Sequence, residues 1–135
     1  MINIIDFDNR IFLVEDGKAL LSVKKDNIVS FDDCINVIGS SFMEGDLSIE
    51  GIIVSDNIVE ICENAFYNCT NLKFVVLGKK LNRIGQCAFT NNTALRYVIF
   101  NGAKEEYVKI LQGEPFEKIG IIHCTNGIVR TVNAK

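Results

Sequence analysis

An internal repeat constrains this chain more than any other feature. When residues 58–77 are set above residues 81–100, the two segments keep an offset of 23 positions throughout. Ile61 falls on Ile84, Ala65 on Ala88, Phe66 on Phe89, Asn68 on Asn91, Thr70 on Thr93, Leu72 on Leu95, Val75 on Val98 and Leu77 on Phe100. A further step back lands on Ile35, Ile38, Phe42, Met43, Ile49, Ile52 and Val54, a degenerate third copy, and another step finds Ala19, Leu20, Val29 and Phe31. A unit this short cannot bury its apolar face alone; stacked on its copies it can, and three coils behind a distorted first one suffice for a stable array.

Each copy has a physical reading. The β-branched and aromatic residues of 72–77 and 95–100 predict a short strand. Its alternation puts Val75, Leu77, Val98 and Phe100 on one face, which with Leu72 and Leu95 forms the core. The Ala-Phe pairs at 65–66 and 88–89 belong to a turn or single helical turn that carries the chain back, the Phe filling the space between coils. Asn68, Thr70, Asn71 and residues 91–93 fill the bend before each strand, where such side chains bond local backbone. The triplets Asn68-Cys69-Thr70 and Asn91-Asn92-Thr93 also match a glycosylation acceptor pattern, but the turn role accounts for them. Residues 11–14 and 19–23 around Asp16-Gly17 read as a hairpin capping the first coil. Ala103, Tyr107, Ile110 and Leu111 share one helical face, ended by Gly113 and Pro115, as a cap over an open apolar end requires. The expected fold is a strand-dominated α/β solenoid in one domain: an N-terminal cap and distorted coil over 1–34, repeats at 35–57, 58–80 and 81–103, and a C-terminal cap over 104–135.

Composition removes whole classes of function. A chain of 135 residues, 48% hydrophobic, fits one domain with its own core. With 14 Lys+Arg against 17 Asp+Glu the net charge is -3, so nucleic acid and acidic membranes are excluded as partners. Asp6, Asp8 and Arg10 interrupt the first apolar run, so a signal-peptide pattern is missing. No segment is long enough to span a bilayer, and the chain as given is expected to be cytoplasmic, without membrane insertion. The five cysteines, Cys34, Cys62, Cys69, Cys87 and Cys124, are odd in number and never closer than seven positions. They read as packed, reduced thiols, with no disulfide framework, metal or cofactor expected.

The run Ile61-Cys-Glu-Asn-Ala-Phe-Tyr-Asn-Cys-Thr-Asn-Leu-Lys-Phe-Val-Val-Leu77 and its successor resemble the BspA-type leucine-rich repeat of bacterial and protist surface proteins. The resemblance spans roughly residues 28–127. Phe100-Asn-Gly102, residues 105–110 and residues 121–127 are similar to the closing segment of such arrays. It implies a leucine-rich-repeat-like solenoid finished by a helix and a last strand, and a binding role at the cell surface, in adhesion or host interaction. Departures are Ser55-Asp56 and Gly78-Lys79 where the family often has Pro, Tyr107 where Trp is common, and Asn126 where Asp is common.

Strand alternation also places Gly51 and Ile53, Phe74 and Val76, and Tyr97 and Ile99 on the face opposite the core. At about 4.8 Å between coils they stack into a ladder edged by Glu50, Lys73 and Arg96. A contiguous apolar, aromatic stripe marks an interface. The expected partner-binding set is Ile53, Lys73, Phe74, Val76, Arg96, Tyr97 and Ile99, engaging a protein or a glycan. The alternative is a self-associating structural protein, a homodimer through the same face; a terminal segment of the chain could equally cover the stripe.

No catalytic residue is expected. Residues 2–9 have the strand and Asp-x-Asp opening of haloacid-dehalogenase-type phosphatases, with Asp6 as nucleophile and Asp8 as acid. Arg10 replaces the usual small hydroxyl or valine, however, and the repeats consume the length such a sheet needs. As a calcium loop the segment fails at Ile11, where Gly is required, and at Gly17, where Glu should close it. His123 and Cys124, neighbours in a strand, point to opposite faces and cannot act as base and nucleophile together.

Overall fold

Each repeat gives one strand to each of two sheets, and the offset between paired residues follows the period of the sequence. The structure is a computed structural model that describes residues 1–113, 115–116 and 118–131. The larger sheet contains β4 (Ile28–Ser30), β6 (Gly51–Ile53), β8 (Phe74–Leu77), β10 (Tyr97–Phe100) and β12 (Ile121–Cys124), all parallel, and β13 (Gly127–Arg130) antiparallel on β12. The smaller sheet is parallel, with β5 (Val37–Ile38), β7 (Glu60–Ile61), β9 (Arg83–Ile84) and β11 (Leu111–Gln112) in that order. Val29, Ile52, Val75, Val98 and Ile122 stand in one register row, and Ile38, Ile61 and Ile84 in another. Side chains of these rows meet in a core with Ile58, Leu72, Leu77, Leu81 and Phe100. Phe66 stacks on Phe89 at 5.4 Å and Phe89 on Phe116 at 4.9 Å, filling the space between coils.

Turn chemistry repeats with the same period. Ser41, Asn64 and Cys87 take φ of 56°, 59° and 60°, and Gly45, Asn68 and Asn91 take 74°, 66° and 62°. Left-handed backbone is costly for most L-residues and tolerated best by Gly and Asn, which accounts for four of the six identities; Ser41 and Cys87 are the exceptions. In the next column, Cys69 Sγ donates to Met43 O at 3.2 Å and Asn92 Nδ2 to Phe66 O at 2.9 Å, so each side chain ties its coil to the one before. Gly78 answers a further constraint. A Cβ there would run into the Ser55 carbonyl, so the backbones approach where a side chain cannot fit.

The N-terminal segment forms three antiparallel strands, β1 (Asn3–Phe7), β2 (Arg10–Glu15) and β3 (Lys18–Lys24), followed by a 3-10 turn at Lys25–Asn27. The hairpin expected from the sequence is β2–β3. It packs against the outer face of the six-stranded sheet: Ile2, Ile11, Leu13 and Val23 form a second core with Phe74, Val76 and Ile99. Two apolar faces, each too large to leave in water, bury one another.

The C-terminal helix is shorter than its apolar spacing predicts. Among the described residues only α1 (Lys104–Tyr107) is α-helical, and its buried residue is Tyr107, 5% exposed. Ile110 is buried, but Leu111 belongs to β11, donates its amide to Asn82 O at 3.0 Å and leaves its side chain 70% exposed. The open edge of β9 claims this backbone for a sheet before the helix can continue.

Candidate interaction surfaces

The expected partner-binding set divides in two. Phe74, Val76 and Ile99 are 0%, 1% and 6% exposed beneath the N-terminal sheet. Neither an outside partner nor a second copy reaches them, because the chain covers its own ladder. Ile53 and Tyr97 are half-buried at the margin of that contact. The charged edge stays open. Lys73 Nζ lies 3.5 Å from Glu50, and the exposed Arg96 guanidinium stands over the Tyr97 ring at 5.9 Å.

Beside Tyr97 the surface dips into a shallow groove lined by Leu95, Arg96, Lys118, Ile121 and His123. His123 pairs in register with Ile99, and its ring lies 6.4 Å from that of Tyr97. Burial holds its imidazole below the ordinary histidine range, against the pull of Glu15, and the nearby N-terminal ammonium acts in the same direction as burial. His123 and Lys118 extend the edge beyond the residues expected from sequence. From Ile99 to His123 is 24 positions, one more than the period, so stepping by 23 lands on Ile122 and misses the histidine.

On the opposite sheet, Arg83 bridges Glu60 at 2.6 Å and Glu63 at 2.5 Å. Hydrogen bonding to Arg83 holds the Glu63 carboxyl below its usual range. The charges of this triad satisfy one another.

Residues that could suggest chemistry are dispersed. Asp6 pairs with Lys25 at 2.7 Å on the exposed strand β1, and Asp8 occupies the left-handed turn that follows. Cys124 points into the main core while His123 points to the outer face, as strand alternation requires. All five cysteines are free thiols. Burial pushes Cys69 up to about 11 and also raises Cys124 and Cys62, the reverse of a reactive thiolate. Among the described residues no group of three His, Cys, Asp or Glu side chains could hold a metal ion.

Parallel coils of 23 residues, each giving one strand to the same sheet, define a leucine-rich-repeat solenoid. A sequence model of the BspA type leucine rich repeat region matches residues 18–119 in six copies, and the chain belongs to that family. No curated protein and no solved structure matches it. Proteins of this family are associated with bacterial surfaces, and such repeats generally mediate contacts between proteins. No helix among the described residues is long and apolar enough to cross a membrane.

Proposed function

We propose that the chain is a non-enzymatic protein-binding module whose contact surface is the open edge of the sheet: Lys73, Arg96 and Tyr97, continued by Lys118 and His123. The observation that carries this is the state of Arg96. Its guanidinium is exposed and rests on an aromatic ring, where Glu50 already occupies Lys73. Arg96 and Tyr97, adjacent at the start of β10, are residue types that dominate binding energy, and their contact with one another is formed within the chain itself. The family's link to bacterial surfaces supports adhesion or host interaction as the setting.

A photo-crosslinking residue at position 96, compared with one at the exposed position 111, tests the surface in producing cells. Adducts with a protein at 96 and none at 111 are expected, lost on His123→Glu. Equal yields at both positions, or none at 96, would sink the reading; capture on a glycan array with no protein adduct would replace it by a glycan-binding one. No phosphatase turnover is expected, and turnover abolished by Asp6→Asn would reverse the non-enzymatic assignment.

A further inference from the structure

The stack is closed at one end and open at the other. Phe116, Ile119 and the β12–β13 hairpin cover the C-terminal coil, with Phe116 against Phe89. At the other end the chain enters the first coil from β3, which lies on the outer face of the sheet, so among the described residues strands β4 and β5 are both free edges. The repeat columns show what is exposed there. Ile35 is 37% exposed, whereas Ile58 and Leu81 in its column are 0% and 4%. Phe42 is 53% exposed in the column of Ala65 and Ala88, both 0%, and Leu47 is 60% exposed.

The backbone at this end is poised for another strand. Val59 and Asn82 amides donate to Asn36 O and Val59 O, and those of Cys62 and Gly85 donate to Ile38 O and Ile61 O, each coil bonding to the one before. The Asn36 and Gly39 amides head these columns and therefore point out of the end. In the following arc the direction reverses: Ser41 and Asn64 donate to Glu63 O and Gln86 O, and Met43 and Phe66 to Ala65 O and Ala88 O. The Ser40 and Phe42 carbonyls head those columns. Donors and acceptors thus stand side by side along one edge, as an incoming strand requires.

Charge decides what fits. From position 26 to position 49 the chain carries Asp26, Asp32, Asp33, Glu44 and Asp46 and no Lys or Arg. None of these acids belongs to an ion pair among the described residues. The hydrogen bonds they accept come from neutral groups: Cys34 N to Asp32, Ser41 Oγ to Glu44, and Ser48 N and Oγ to Asp46. A second copy turned end to end would set these carboxylates against their own equivalents. We infer that the open N-terminal end of the stack takes a basic, apolar extended segment of a partner protein as an added strand. Its aliphatic side chains would lie on Ile35, Phe42 and Leu47 and its cations against the five acids, independently of the groove at Arg96.

The test titrates the full chain, labelled for amide NMR, with an acetylated and amidated peptide of four Lys-Val pairs and with its Glu-Val counterpart. Shifts confined to residues 26–47 are expected, with the basic peptide at least about tenfold tighter and weakened by 0.5 M salt. Asp33→Lys with Glu44→Lys, both exposed, should abolish the difference without lowering the melting temperature. Replacing alternate peptide amides by N-methyl amides should abolish binding, since an added strand needs those donors. No shifts up to about 1 mM peptide, shifts at the Arg96 groove instead, equal affinity for the acidic peptide, or full binding of the N-methylated one would each overturn the inference. A doubled solution mass without peptide, mapping to residues 35–47, would assign the end to a second copy.

Discussion

Cys87 shares its turn position with Ser41 and Asn64 and adopts the same left-handed backbone, at φ 60°. A cysteine has no local hydrogen bond to offset the crowding of its Cβ there, whereas asparagine tolerates the conformation. Cys87→Asn is therefore expected to stabilise the fold by roughly 0.5–1 kcal/mol, read as a higher urea midpoint at unchanged slope. Gly78 predicts the opposite sign. Its φ is ordinary, but an added Cβ meets the Ser55 carbonyl, and neither backbone can step aside without breaking the Asp56 Oδ1 bond to the Lys79 amide at 2.9 Å. Gly78→Ala should destabilise by about 1–3 kcal/mol in the same measurement, and a neutral result would mean that the coils yield more readily than close packing allows.

Among the elements, the N-terminal sheet had the least legible position. Alternation in residues 72–77 and 95–100 reveals that the sheet is apolar on both faces, and alternation in residues 11–23 reveals a hairpin with its own apolar side. Neither pattern says which surface meets which, because periodicity reports the face a residue is on and not the distant element that covers it. The ladder therefore read as a binding surface, while Phe74 is in fact as buried as Val75 in the main core. The helix after residue 103 failed for a related reason: Ile110 and Leu111 have helical spacing, but β9 offered a strand partner that local sequence does not display. The 23-residue coils, by contrast, were fully legible, since each column repeats its own packing requirement. If the hairpin is a structural cover, Leu13→Ala, at a site 1% exposed, should cost about 2–5 kcal/mol and increase binding of a hydrophobic dye. An unchanged melting temperature and no added dye binding would show that the sheet lies on the solenoid without stabilising it.

For the molecule as a whole, stability is the sum of coil-to-coil contacts, so a charge forced into one interface weakens the stack through its neighbours. Two buried acids probe this from different places. Cys69, between the second and third coils, is raised by burial from 9.0 to about 11. Tyr107, under the C-terminal closure, is raised from 10.0 to about 12, again chiefly by burial, although the Gln112 side chain at 3.2 Å pulls it the other way. The folded state thus holds both protons more tightly than the unfolded chain does. The contribution is complete below pH 9 for Cys69 and below pH 10 for Tyr107, and it is lost as pH rises through 11 and 12 respectively. Each shift of about two units corresponds to roughly 2–3 kcal/mol. Urea midpoints should therefore fall steadily from pH 9 upward. In Cys69→Ala the fall between pH 9 and 11 should shrink to the part left by Cys62 and Cys124, and Tyr107→Phe should remove the further fall between pH 10 and 12 that Tyr107 contributes. If the coils act as one cooperative stack, circular dichroism and the fluorescence of a probe on the exposed Cys34 will report the same midpoint at every pH in the Cys69→Ala chain. Separate midpoints that diverge as Tyr107 ionises would show instead that the C-terminal closure opens alone, leaving the first coils folded.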